Sequence, residues 1–256
     1  MFKKKHHTKA ITPILLIFIT LLAVFWFQLP RLTDSYKVDE DFRSFYWMNK
    51  FQEPNLYPND QLRGDSYRIL HLPWDDDVPI YLKSPGYSLL FYIASFFVSP
   101  LQFSKLLPFF LAVITIHYLY RYGMTLRNRK TGIGLAIGFL AVNLISPTST
   151  TILSGFQRSF ALPVMIALLY HLHQKQTMAS AMLTVISAVI YAPVFLLAAT
   201  TWALYLLPKG RNRENPSPHV IFREMVPLLI AVTLGMLALL PVLKPRLESA
   251  LLAKNI

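Results

Sequence analysis

Residues 84–100 read SPGYSLLFYIASFFVSP. Whether this stretch crosses a bilayer decides the direction of every helix after it. About 14 apolar residues between prolines are short for a hydrocarbon core about 30 Å thick. If they crossed, the next polar stretch, RYGMTLRNRK (121–130), would face away from the lysine-rich start of the chain, with bases and no acid. That reverses the usual gathering of Lys and Arg on the cytoplasmic side. The sequence therefore predicts that 86–99 form a helix lying in the outer interface or re-entering it. Tyr87, Phe91, Tyr92, Phe96 and Phe97 suit headgroup depth.

Composition agrees with a bilayer as the solvent. The chain has 256 residues, 54% of them hydrophobic and 15% charged, with a mean hydropathy of +0.41. A soluble domain carries about 25% charged residues. Apolar runs near 20 residues long recur, the pattern of a polytopic membrane protein. The net charge of +12 would also suit nucleic acid, but the bases lie in short clusters between apolar runs, as in cytoplasmic loops, so nucleic acid is not an expected partner. There is no cysteine, which excludes disulfides, thiol nucleophiles and Cys-ligated metals. The apolar run Ala10–Leu29 is longer than a signal-peptide core and ends in FWFQLP with no Ala-x-Ala. It reads as an uncleaved first span, with Lys3, Lys4, Lys5 and Lys9 holding the N-terminus in the cytoplasm of a bacterial inner or plasma membrane.

Residues 30–84 then lie outside. They hold Asp34, Asp39, Glu40, Asp41, Glu53, Asp60, Asp65, Asp75, Asp76 and Asp77, most of the 13 acids in the chain. Further spans are expected near 104–121, 131–147, 159–172 and 226–243. A thirty-residue apolar run splits at Tyr191-Ala192-Pro193 into two more, because proline removes a helix donor. The expected architecture is an all-α, polytopic transmembrane bundle of about seven spans, one domain over 1–256. Residues 30–103 form an extracytoplasmic loop with the interfacial helix inside it, and 244–256 form a short tail. Gly134 and Gly138, four apart in span three, fit small-xxx-small packing.

The run SYKVDEDFRSFYWMNKF (35–51) holds the densest candidate chemistry. Three adjacent acids, Asp39, Glu40 and Asp41, repel one another, which can raise one pKa. One could serve as a general base or hold a metal, and Arg43 could pair with it or bind a phosphate. In an α-helix, Asp39, Arg43 and Tyr46 would share one face. A solvated acidic loop is the competing reading. Asp60, in LYPNDQL, is a secondary candidate in turn-forming company. Lys83 could meet an anionic headgroup, and Arg158, after a Ser/Thr-rich loop, is a candidate phosphate ligand. His117 reads as a core histidine, and His171 and His173 as solvated ones. P-loop, His-Glu-x-x-His and Gly-x-Ser-x-Gly motifs are absent.

The order of parts resembles the GT-C fold of integral membrane glycosyltransferases, which includes protein O-mannosyltransferases and aminoarabinose transferases. The resemblance rests on DEDFRSFYW opening the first outer loop and on LKSPGYSLLFY entering the interfacial helix, and spans about residues 10–200. It implies a polyprenyl-phosphate sugar as donor and a lipid, glycan or protein hydroxyl as acceptor. A first-loop carboxylate would act as general base, Asp41 ahead of Asp39, the spacing to Arg43 permitting either. Arg43, Lys83 and Arg158, or a divalent cation as cofactor, would steady the leaving phosphate. Two departures stand against it. The loop SPTSTTILSGFQRSF has no second acid, and the chain stops after about seven spans. A fragment, an inactive relative, or a non-catalytic subunit or scaffold of an envelope glycan pathway is the alternative. A transporter fits least, since no charge lies deep in spans three to seven.

Overall fold

The computed structural model describes residues 7–34, 40–53, 55–56, 84–145, 154–211, 222 and 225–240. Among these residues there is no strand, and the chain is all-α. The helices are α1 (His7–Thr33), α2 (Pro85–Ala94), α3 (Pro100–Leu126), α4 (Arg129–Ile145), α5 (Ala161–His173), α6 (Thr177–Ile190), α7 (Ala192–Arg211) and α8 (Met225–Leu240). Two 3-10 helices, Glu40–Phe51 and Gln157–Phe160, precede α2 and α5. Where the sequence suggests about seven spans, two helices among the described residues, α1 and α3, are long and apolar enough to cross a membrane. At 1.5 Å per residue, α2 reaches only about 15 Å. The tail 244–256 lies outside the described residues.

The breaks follow local chemistry. α6 stops at Ile190 and α7 starts at Ala192, because Pro193 has no N–H to carry an α-helical bond across the junction. α4 starts behind Asn128, whose Oδ1 accepts a hydrogen bond from the Thr131 N–H at 3.1 Å, an N-cap. α5 ends in a Schellman turn. Gln176 N–H donates to His171 O at 2.9 Å and Lys175 N–H to Leu172 O at 3.0 Å. Lys175, at φ 59°, holds the left-handed position usually given to glycine.

The contacts divide the chain into two compact units, Met1–Phe42 with Ser104–Ser180, and Arg43–Phe103 with Ala181–Ile256. In the first, Leu16 of α1, Ile116, Leu119 and Tyr120 of α3, and Ala136 and Leu140 of α4 share a core, with Ile166 of α5 packed on it. A second cluster joins Val24, Ala112, Phe109, Phe139 and Leu162. The four helices alternate in direction. One end therefore collects the finish of α1, the start of α3 and the start of α5. The other collects the start of α1, the α3–α4 turn and the end of α5. Buried Thr20 and Thr115 donate their hydroxyls to the Leu16 and Leu111 carbonyls at 2.7 Å, so both polar groups are paired inside an apolar core.

Glycines at the α3–α4 turn set how closely those helices pack. A Cβ on Gly132 would lie 2.5 Å from Tyr120 O, and one on Gly123 would lie 2.6 Å from Gly132 Cα. Gly134 and Gly138, the pair singled out by spacing, face open space. The small-residue face is Gly132 with Ala136, both buried, two positions off the expected register.

In the second unit, Ala188, Phe195 and Leu239 bring α6, α7 and α8 together, with the Phe195 ring lying against Gly235. The first turn of α2 lies on α6, since a Cβ on Gly86 would meet Val189 Cγ2 at 2.8 Å. The five aromatics of the α2 region do not share one depth. Tyr87 and Phe91 are fully buried, while Tyr92, Phe96 and Phe97 are exposed. Residues 87 and 91 are one helical turn apart and point inward together.

Candidate functional site

The acidic run enters a regular element. Glu40–Phe51 is a 3-10 helix of 12 residues, far longer than the usual three or four. Three residues per turn replace the α-helical register. The backbone row through Arg43 and Tyr46 therefore begins at Glu40, not at Asp39 as an α-helix would have it. Asp39, Asp60 and Lys83 lie outside the described residues, and for Glu40, Asp41 and Arg43 the backbone alone is described.

The second half of this helix is seated on α2. Trp47 and Met48 are buried. Trp47 packs edge-on against Phe51 (centroids 5.6 Å apart), Phe51 against Tyr92 (5.4 Å) and Tyr92 against Phe96 (5.1 Å). Such ring pairs add about 0.5–1.5 kcal/mol each beyond their area. Gln52 Nε2 donates to Ser95 O at 2.7 Å, capping a free carbonyl at the end of α2. The chain just after the acids is thus held by rings and by a hydrogen bond.

Arg158 sits at the end of the first unit that holds Asp34. Its guanidinium lies 4.9 Å above the Phe156 ring, a cation–π contact, and its neighbours Gln157 and Ser159 are buried. The turn before it depends on glycine. A Cβ on Gly155 would collide with Ser104 O, the carbonyl that loses its helical donor to Pro108. Lys105 Nζ donates to Asp34 O at 2.9 Å, tying the start of α3 to the end of α1. Arg31, Lys105 and Arg158 thus stand on three strands of chain at one end.

The opposite end is aromatic and basic. Tyr118 OH lies 3.3 Å from His171 Nε2, and His171 Nδ1 lies 2.6 Å from Gln176 Oε1. Since Oε1 can only accept, Nδ1–H donates, and in the neutral imidazole Nε2 then accepts the tyrosine proton. His171 is therefore engaged, where the sequence suggests solvation. Tyr122 packs edge-on to the exposed His173 at 6.1 Å. Beside them, Pro13, His117, Tyr120, Arg121, Met124 and Arg129 line a cleft of about 570 Å³. His117 is half-buried in its wall and not in the core. By sequence, Arg121 and Arg129 serve only as topology markers. The α3–α4 turn capped by Asn128 is the local signal that would have paired them.

Among the described residues, no three of His, Cys, Asp and Glu gather as a cation would require. No protein-family model, curated protein or solved structure matches the chain.

Proposed function

We propose that the chain is a multi-pass inner-membrane glycosyltransferase of the GT-C type, with α1 and α3–α8 as seven spans and a cytoplasmic N-terminus. It would move a sugar from a polyprenyl-phosphate donor to a hydroxyl on the extracytoplasmic face. The membrane half of this reading is supported by α1. Ile14, Phe18, Leu22, Phe25 and Trp26 leave it exposed, Trp26 at 72%. Such an apolar surface is a liability in water and ordinary in lipid.

The observation that carries the functional half is the 3-10 helix Glu40–Phe51. Its acidic start runs without a break into a segment fixed on α2, as a general base needs for positioning. By the resemblance, Asp41 or Asp39 would take the acceptor proton, and Arg43, Lys83 or Arg158 are the candidates for meeting the leaving phosphate. A divalent cation would supply the same charge stabilisation at the leaving phosphate. The test is transfer from a radiolabelled polyprenyl-phosphate sugar by membranes carrying the full chain or its Asp39→Asn/Asp41→Asn form. Loss of a general base should lower the rate about 100-fold or more. Equal rates would remove these carboxylates from the chemistry and leave the non-catalytic subunit as the better reading.

A further inference from the structure

We propose that the cleft between α1, α3 and α4 is a binding site for an anionic phospholipid, with the phosphate between Arg121 and Arg129 and an acyl chain along α1. This rests on the reading that α1 and α3 lie in a bilayer, and not on sugar transfer.

Three observations converge on it. Arg121 and Arg129 line one cleft of about 570 Å³ together with His117. The stretches that build this end, 7–12, 117–130 and 170–176, contain no Asp or Glu. Like charges crowded in a cleft favour a counter-anion. Guanidinium is the side chain whose fork matches two phosphate oxygens at once. Arg129 also reaches α1, donating to Thr12 Oγ1. That bond occupies one of its five N–H donors and leaves others for a ligand.

The remaining walls are apolar. Pro13, Met124 and the Tyr120 ring give the cleft a surface for glycerol and the first methylenes. Ile14, next to Pro13, is 65% exposed and starts the outward stripe that continues through Phe18 and Leu22. A free phosphate ion would use the guanidinium groups alone. An amphiphile uses both the charges and the stripe, and basic pockets at the cytoplasmic ends of spans are where lipid headgroups bind.

The experiment uses the full chain, purified in neutral detergent. Bound lipid is counted by native mass spectrometry, and affinity is read from the thermal-unfolding shift on titrating dioleoyl-phosphatidylglycerol, dioleoyl-phosphatidylcholine or inorganic phosphate. Phosphatidylglycerol should bind and shift the transition, phosphatidylcholine far less. Each guanidinium removed should weaken binding about fivefold, so Arg121→Gln/Arg129→Gln should weaken it about 25-fold. Because Arg129 also holds Thr12, Arg121→Gln alone serves if the double variant does not fold, with the single fivefold loss expected. Lys105→Gln, at the other end of the unit, should leave binding unchanged. Equal binding by wild type and Arg121→Gln would overturn the site. Equal shifts from both lipids, or from inorganic phosphate at the same concentration, would overturn the assignment to an anionic lipid. Lipid binding that survives in the Asp39→Asn/Asp41→Asn form while transfer is lost would separate this proposal from the catalytic one.

Discussion

α1 and α3 are each 27 residues long and each is apolar enough to cross a membrane, yet they use that hydrophobicity in opposite ways. Of its most apolar window, 28% is buried in α1 and 50% in α3. The inward face of α1 is one narrow row, Leu16, Thr20, Val24 and Gln28, spaced by four. In α3, Leu111, Ala112, Thr115, Ile116, Leu119 and Tyr120 make two adjacent rows, the width of a helix with neighbours on both sides. Hydropathy alone therefore does not say which helix is the hub. α3 holds the first unit together. α1 lines its margin and presents Phe18, Leu22 and Trp26 to whatever solvent surrounds it.

The sharpest way to break this comparison is at the tightest contact of the hub. In Gly132→Leu the new Cβ meets the Tyr120 carbonyl at 2.5 Å, and a backbone atom cannot step aside as a side chain can. The cost should exceed about 3 kcal/mol, the upper end for overpacking. The expected outcome is loss of the monodisperse peak in gel filtration of the detergent-solubilised chain. Gly134→Leu, two residues on in open space, should elute as wild type. Equal behaviour of the two variants would mean that α3 and α4 do not pack through Gly132.

A second pair compares the helices directly. Ile116 is 1% exposed in α3 and Leu22 is 54% exposed in α1. Ile116→Ala should lose about 3 kcal/mol, through lost transfer energy and the cavity left behind. Leu22→Ala should change stability by less than about 0.5 kcal/mol, since surface positions away from special features rarely do more. Thermal unfolding in micelles reads both. A large loss at Leu22 would show that the outward stripe of α1 is covered by protein.

The sequence made the helices legible and their faces obscure. α1 and the Tyr191 break could be placed because a long apolar run and a proline act locally. A helix over 86–99 was legible only in part, since α2 starts at Pro85 and ends at Ala94, five residues before the expected end. Faces depend on partners that spacing does not reveal. Gly134 and Gly138 satisfy the four-residue rule as well as Gly132 and Ala136, but only the second pair meets α3. Tyr87 and Phe91 look like Tyr92 and Phe96 in composition and differ only in what covers them. The candidate site was less legible still. No local propensity announces a 12-residue 3-10 helix, so Glu40 took the register expected of Asp39. Arg121 and Arg129 are eight positions apart and meet only through the turn between them.

The finest test asks what polar contacts add to the hub. α3 reaches α5 at the basic end through Tyr118, His171 and Gln176, and α5 ends there in a turn strained by Lys175 at φ 59°. His171→Ala removes both hydrogen bonds and should cost about 1–2 kcal/mol, each net bond contributing about 1 kcal/mol or less where water can replace it. Tyr118→Phe removes only the 3.3 Å contact, and should cost less than half as much, because the 2.6 Å bond to Gln176 remains to hold the turn. Amide hydrogen exchange over 170–180 localises the effect. Exchange should rise there in His171→Ala and stay near wild type along α1, which among the described residues shares no hydrogen bond with this network. A rise along α1 as well would mean that the margin helix depends on the polar end of the hub, and the division of labour between the two helices would not hold.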